Sequence, residues 1–136
     1  MKNAIIPTRE ELCDFIYYRH KDAYGVKGRF YDFDSMSYED LEAEAVRLDE
    51  AANEQYKYER KCDAEAIIEF RANIRKVRAM CNCSRDAAVR FILDGEGLAG
   101  EYDSSYACFV MRLPYSMEKY IRPRLDVLNE EMMEAA

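Results

Sequence analysis

Residues 37–82 read SYEDLEAEAVRLDEAANEQYKYERKCDAEAIIEFRANIRKVRAMCN, and this stretch decides the fold. From residue 29 to residue 94 the sequence contains neither Gly nor Pro, the two residues that most disfavour a helix interior. Ser37 suits the N-cap, and Glu39 and Asp40 fall in the first turn, where the helix dipole favours acids. The stretch therefore predicts one long central helix over about residues 38–81, and a break near residues 53–63 is the alternative.

Two sets of apolar residues recur along this stretch at steps of three and four, which places each set on one helix face. They are Tyr38, Leu41, Ala45, Leu48 and Ala52, then Ile67, Phe70, Ile74, Val77 and Cys81. A continuous helix here would be about 65 Å long, whereas a compact chain of this size has a radius of gyration of about 14 Å. We therefore expect the terminal helices or a second copy to cover the stripe, and we favour a homodimer.

Four or five shorter helices are predicted around the central one. Thr8 followed by Glu11 has the form of a capping box, and Gly25 suits a helix end, so a first helix is expected over 9–24. Ser84 caps a helix running to residue 94, and Asp103 or Ser104 caps an apolar helix over about 105–113 that should be buried on several sides. A last helix starts at Ser116 and runs through Tyr120, and Pro123 either kinks it or begins a further turn. With no alternating strand pattern, the chain is expected to be all-α, with five or six helices in a single domain over residues 1–136.

Composition narrows the class of protein. The chain has 136 residues, of which 49% are hydrophobic and 35% charged, a mixture that suits solvated helices around a core. No run approaches the roughly 18 apolar residues of a membrane-spanning helix. Five cysteines, an odd number, argue against a secreted disulfide framework. We therefore expect a soluble, cytoplasmic protein with reduced thiols and no membrane contact.

The net charge of −7 conceals an uneven distribution. Residues 32–65 contain 12 acids against four bases, a net of −8, whereas residues 69–90 contain six bases against two acids, a net of +4. A charged partner is one interpretation of this division, and a solvated helix with compensating ends is the other. The acids expected to bind a partner are Glu42, Asp49, Glu50 and Glu54. The bases expected to contact nucleic acid in the alternative interpretation are Arg71, Arg75, Lys76, Arg78, Arg85 and Arg90.

The connection after the first helix carries aromatic residues, among them Tyr31 and Phe33. They either hold the connection against the helices or contact a partner. Gly25 and Gly28 do not have the spacing of a phosphate-binding loop.

No catalytic constellation emerges from the sequence. His20 stands alone, without a nucleophile or a second His, and a surface or hydrogen-bonded role is expected for it. Cys81 and Cys83 lack the second pair of ligands that tetrahedral zinc needs. We therefore expect no enzyme activity, no metal and no cofactor.

Two segments resemble a pattern in small uncharacterised proteins of tailed bacteriophages. They are KDAYGVKGRFYDFDSMSYEDL at residues 21–41 and EYDSSYACFVMRLPY at residues 101–115. In the second segment, Arg112 stands where a glycine is expected. The resemblance implies phage origin, and small phage proteins of this kind often bind and disable host machinery.

Two functions follow as expectations. The first is a non-enzymatic inhibitor or modulator of a host nucleic-acid-handling protein or defence complex, of the anti-CRISPR or anti-restriction kind, which binds a host protein or nucleoprotein through the acidic helix face. The alternative is a small DNA-binding regulator. Residues 74–93 have helix-turn-helix proportions, and the surrounding bases have the sign that phosphate requires.

Overall fold

A computed structural model describes residues 5–136, and all of the regular secondary structure in that range is helical. Helical residues make up 77% of it, and it contains no strand. The five α-helices are α1 (Arg9–Tyr24), α2 (Tyr38–Cys81), α3 (Arg85–Gly95), α4 (Ser104–Val110) and α5 (Glu118–Ala135). Two 3₁₀ turns, Phe33–Ser35 and Tyr115–Met117, precede α2 and α5. The expected all-α class is confirmed.

Helix α2 is the predicted central helix, continuous over 44 residues. A reciprocal capping box starts it: the Ser37 hydroxyl accepts from the Asp40 amide at 3.1 Å, and the Asp40 carboxylate accepts from the Ser37 amide at 3.2 Å. Helix α1 begins as expected, with the Thr8 hydroxyl accepting from the Glu11 amide, and ends at Gly25 in the left-handed region.

The chain forms two compact units, and the boundary between them falls within α2. The N-terminal unit ends at Arg60, and the C-terminal unit spans Lys61–Ala136. The expectation of one helical domain over residues 1–136 stays a prediction.

Each unit has its own apolar core. In the N-terminal unit α1 covers the first stripe of α2, and the buried residues are Leu12, Ile16, Ala23, Leu41, Ala45, Leu48 and Ala52. In the C-terminal unit Phe70 and Ile74 of the second stripe join residues of α3, α4 and α5, including Val89, Leu93, Cys108, Ile121 and Leu125.

The chain thus covers most of its own stripe, although Cys81 is exposed. Leu48, Ala52 and Phe70 are 0%, 3% and 5% exposed without a second copy. The coverage argument for a homodimer therefore falls away, and the homodimer itself stays a prediction.

Helix α4 differs from its expectation in length and burial. It ends at Val110, three residues earlier than predicted. Cys108 is fully buried, but Phe109 is 66% and Tyr106 49% exposed, so burial on several sides was wrong for these two residues. The buried residues of α4 are Ser104, Ala107 and Cys108.

Candidate binding surfaces

The N-terminal unit has a groove of about 510 Å³ between α1 and the first half of α2, which we call the acidic groove. Its apolar floor consists of Leu12, Phe15, Ala45 and Val46. Its rim carries Glu11, Glu42, Asp49 and Glu50. Phe15 is 41% and Val46 54% exposed, so the floor is open to solvent between carboxylates.

Three of the four predicted partner-binding acids therefore line one groove. Asp49 is engaged within the chain, because Arg19 donates to its carboxylate at 2.9 Å. Neither Glu42 nor Glu50 forms an ion pair with any residue in the range 5–136. Glu54 lies outside the groove lining and pairs with Lys57 at 3.5 Å.

Sequence reasoning missed the contribution of α1 to this groove. Glu11 and Phe15 lie about 30 residues before Glu42 and Val46 in the sequence, and only the packing of α1 on α2 brings them to the rim and floor. No local signal marks Phe15 in the sequence, because its spacing places it on the same side of α1 as Leu12, and its exposure is seen only in the structure.

The aromatic connection packs on the core of the N-terminal unit. Tyr31 lies between Phe30 and Phe33, at centroid distances of 4.4 and 5.4 Å, and its hydroxyl donates to the Glu44 carboxylate at 2.5 Å. Tyr31 and Phe33 are half-buried against this core, whereas Phe30 is 70% exposed. Both predicted contact residues, Tyr31 and Phe33, are therefore half-buried. The exposed ring of this stack is Phe30, which was not among the predicted contact residues.

Glu44 connects this aromatic stack to Arg47. The Arg47 guanidinium donates to Glu44, and this hydrogen bond holds the pKa of the carboxyl below its usual range. Burial, together with the hydrogen bond to the ionised Glu44, raises the pKa of Tyr31 to about 12. The network fixes the connection to α2.

His20 is buried, 7% exposed, beside Tyr24 and Phe30. Its Nδ1 lies 2.6 Å from the Val26 carbonyl oxygen, which can only accept, so Nδ1 carries the proton. The hydrogen-bonded role expected for His20 is confirmed.

The C-terminal unit has a second groove, of about 380 Å³, which we call the arginine groove. Its rim carries Arg71, Arg75, Arg78 and Arg85. Its apolar floor consists of Phe70, Ile74, Met117 and Tyr120. The structure thus brings four of the six predicted bases together.

The other two predicted bases are placed differently. Lys76 is exposed and lies outside the groove lining. Arg90 is 22% exposed and pairs with Glu131 at 3.2 Å. The predicted turn between helices is present, with Asn82 in the left-handed region and the Ser84 hydroxyl accepting from the Ala87 amide at 3.1 Å.

Residues 5–136 contain no group of three or more His, Cys, Asp or Glu side chains that is placed to hold a metal ion. Within the same range, no helix has the length and apolar character needed to cross a membrane.

Comparisons with known proteins add no family to this picture. A scan against protein-family models finds no matching family, and searches of the curated proteins and of the solved structures find no match. Any inference about function therefore rests on the geometry and charge of the two grooves.

Proposed function

We propose that this chain is a non-enzymatic binding protein whose acidic groove takes up a basic, amphipathic helical segment of a nucleic-acid-handling protein. The observation that supports it is the combination of an exposed apolar floor with a carboxylate rim in one groove. An amphipathic helix lays its apolar face into such a groove, and Lys or Arg flanking that face meets the rim.

Charge favours this occupant over others. Glu42 and Glu50 have no cationic partner among the described residues, so an incoming Lys or Arg forms new pairs without breaking old ones. Proteins that handle nucleic acid carry such basic segments. A host defence complex is the particular target that the resemblance to phage proteins suggests, and the anti-CRISPR or anti-restriction role is proposed on that ground.

The test uses a synthetic peptide helix with Leu at helical spacing and Lys on both flanks, titrated against the full chain. The double variant Glu42→Gln, Glu50→Gln is expected to weaken binding by about 2- to 30-fold at low salt, since exposed pairs contribute roughly 0.2 to 1 kcal/mol each. Val46→Ser should weaken it independently by removing part of the floor. Added salt should weaken the wild-type complex.

Glu39→Gln with Glu54→Gln is the matched control, because both residues are exposed acids of α2 outside the groove and the charge change is identical. Equal loss in both double variants would reject the groove in favour of general acidity. A capture from host lysate with the wild type and both double variants then identifies the natural partner. A partner retained equally by all three would reject the proposal.

A further inference from the structure

The arginine groove gathers four cations that have no acidic partner among the described residues, and one of them, Arg78, donates from Nε to the Cys83 carbonyl oxygen at 3.3 Å. Arg71, Arg75, Arg78 and Arg85 form no ion pair with any described acid, whereas Arg19, Arg47, Arg90, Arg122 and Arg124 each pair with at least one. Arg71 and Arg75 are four residues apart on α2, and Arg75 and Arg78 are three apart, spacings at which like charges repel. An anion bound between them would relieve this repulsion.

The floor of the groove is apolar and held in place. Phe70 and Ile74 are 5% and 4% exposed and belong to the core. The Arg124 guanidinium lies over the Tyr120 ring at 3.6 Å and pairs with Asp86 at 3.0 Å, so the ring is fixed from one side. A cationic rim over an apolar floor suits a ligand that has both a phosphate edge and a flat face.

We propose that the arginine groove binds single-stranded nucleic acid. Phosphates of the strand pair with Arg71, Arg75 and Arg78, which follow one another along α2 at about 6 and 4.5 Å. The planar guanidinium binds phosphate through two parallel hydrogen bonds, which a lysine does not do. A sugar and base lie over the apolar floor, in the manner of proteins that track a single strand without reading its sequence.

The surface of α3 favours a single strand over duplex DNA. In a helix-turn-helix protein this second helix enters the major groove and reads base edges. Here Arg90 is tied to Glu131 and Asp86 to Arg124, and the exposed positions include Phe91 and Asp94. That surface offers no row of free donors to bases, and Asp94 would be brought towards the phosphates.

The experiment measures fluorescence anisotropy of a labelled oligothymidine of about 20 nucleotides with the full chain, since single-strand sites span about 4 to 16 nucleotides. Because the net charge is −7, binding at low salt must come from a local positive surface. With three to four phosphate contacts, log K should fall with log salt at a slope of about −2 to −3.

Arg75→Gln and Lys76→Gln form a matched pair, because the two residues are neighbours on one helix and both substitutions remove one positive charge. Arg75 lines the groove and Lys76 does not. Arg75→Gln is expected to weaken binding about tenfold or more at about 50 mM salt, and Arg71→Gln with Arg75→Gln should lower the steepness of the slope by about 1.4. Lys76→Gln should change the affinity less than about twofold. Arg85→Gln, on α3, tests the groove from its other wall.

Each result decides for or against the proposal. Absence of binding at about 50 mM salt would reject it, as would equal losses from Arg75→Gln and Lys76→Gln. Tighter binding of a duplex of the same length would replace it by a duplex-binding regulator. Displacement of the oligonucleotide by a glutamate-rich peptide at equal charge concentration would replace it by an acidic-peptide site. Circular dichroism of every variant confirms that the exposed substitutions leave the helices in place.

Discussion

Gly28 illustrates how one residue controls the connection between α1 and α2. A Cβ at this position would lie 2.8 Å from two ring carbons of Tyr31. The ring cannot move aside easily, because it is stacked against Phe30 and Phe33 and its hydroxyl is bonded to Glu44. We expect Gly28→Ala to lower the free energy of unfolding by about 1 to 3 kcal/mol, the usual cost of overpacking, as measured by urea denaturation.

Gly95→Ala is the control for this prediction. Gly95 is the last residue of α3, and a Cβ there would meet nothing within 4 Å. Alanine should leave stability unchanged or raise it by up to about 1 kcal/mol. Equal destabilisation by both substitutions would show that close contact with Tyr31 is not the cause.

Glu44 makes stability depend on pH. The hydrogen bond from Arg47, followed by that from Tyr31, lowers the pKa of Glu44 in the folded chain. A carboxyl whose pKa is lower in the folded than in the unfolded state contributes stability above the unfolded pKa, and this is lost as the pH falls through the folded pKa. We expect the unfolding midpoint of Glu44→Gln to fall less between about pH 6 and about pH 3 than that of the wild type. The control is Glu42→Gln, which removes an exposed glutamate of the same helix outside its first turn; matching curves for all three proteins would contradict the prediction.

Arg112 occupies a backbone conformation that favours glycine. Its φ is 57°, and the turn after α4 has the Schellman pattern, with the Leu113 amide donating to the Cys108 carbonyl at 2.9 Å and the Arg112 amide to Phe109 at 3.1 Å. Glycine, which the pattern of the resembling phage proteins leads us to expect here, adopts this conformation without strain. Arg112→Gly should raise the free energy of unfolding by about 0.5 to 1 kcal/mol, the cost of the left-handed region less the backbone entropy of glycine.

Asn82→Gly provides the comparison for Arg112→Gly. Asn82 also has a positive φ, of 50°, but asparagine tolerates that region better than arginine. The free energy of unfolding, measured by thermal or urea denaturation, should therefore rise less in Asn82→Gly than in Arg112→Gly. A loss of stability in Arg112→Gly would indicate that the arginine side chain makes a stabilising contact.

Among the helices, α5 holds the segment before α4 through one buried side chain. The Asn129 carbonyl oxygen accepts from the Gly100 amide at 2.7 Å, and its amide nitrogen donates to the Glu101 carbonyl at 2.7 Å. Asn129 is 3% exposed. Asn129→Ala removes both hydrogen bonds at once and leaves the Gly100 amide and the Glu101 carbonyl without a partner. Since each unsatisfied buried group costs roughly 1 to 3 kcal/mol, we expect the free energy of unfolding, measured by urea denaturation, to fall by about 2 kcal/mol or more.

Asn129→Asp separates the two bonds. The carboxylate retains an acceptor for Gly100 but gives the Glu101 carbonyl no donor. The loss should be at least as large as for alanine, because a charge is also buried. A stability equal to that of the wild type in either variant would show that water replaces the asparagine without cost.

The sequence predicted the helices well and their contacts poorly. Helices α1 and α2 match their predicted bounds, because caps and the 3.6-residue period are local signals. The prediction that Phe109 is buried was wrong, because the burial of a residue in α4 depends on which other helices pack around it. Asn129 was missed for the same reason, since its partners lie nearly 30 residues earlier.

Candidate sites show the same division. Glu42, Asp49 and Glu50 share one side of α2 and were predicted together. Arg90 was grouped with the free bases because its partner, Glu131, is distant in sequence. Charge counting finds the sign of a segment, but the neutralisation of each charge is a tertiary property.

For the whole chain, the two grooves predict two binding activities of opposite charge preference: peptide binding that depends on acidic residues and oligonucleotide binding that depends on arginines. They share no residue, and each belongs to one compact unit. A ligand in one groove makes no contact with the charges that line the other, because no residue lines both. We therefore expect Glu42→Gln with Glu50→Gln to weaken peptide binding while changing oligonucleotide affinity less than about twofold. Arg71→Gln with Arg75→Gln should do the reverse.

Both affinities are measured by fluorescence anisotropy in one buffer. The quadruple variant should show both losses of binding free energy. Each loss should equal that of the corresponding double variant within about 0.5 kcal/mol. If either double variant shifted both affinities by the same factor, net charge rather than the grooves would govern binding; if only one ligand failed to bind, only the proposal for its groove would fall.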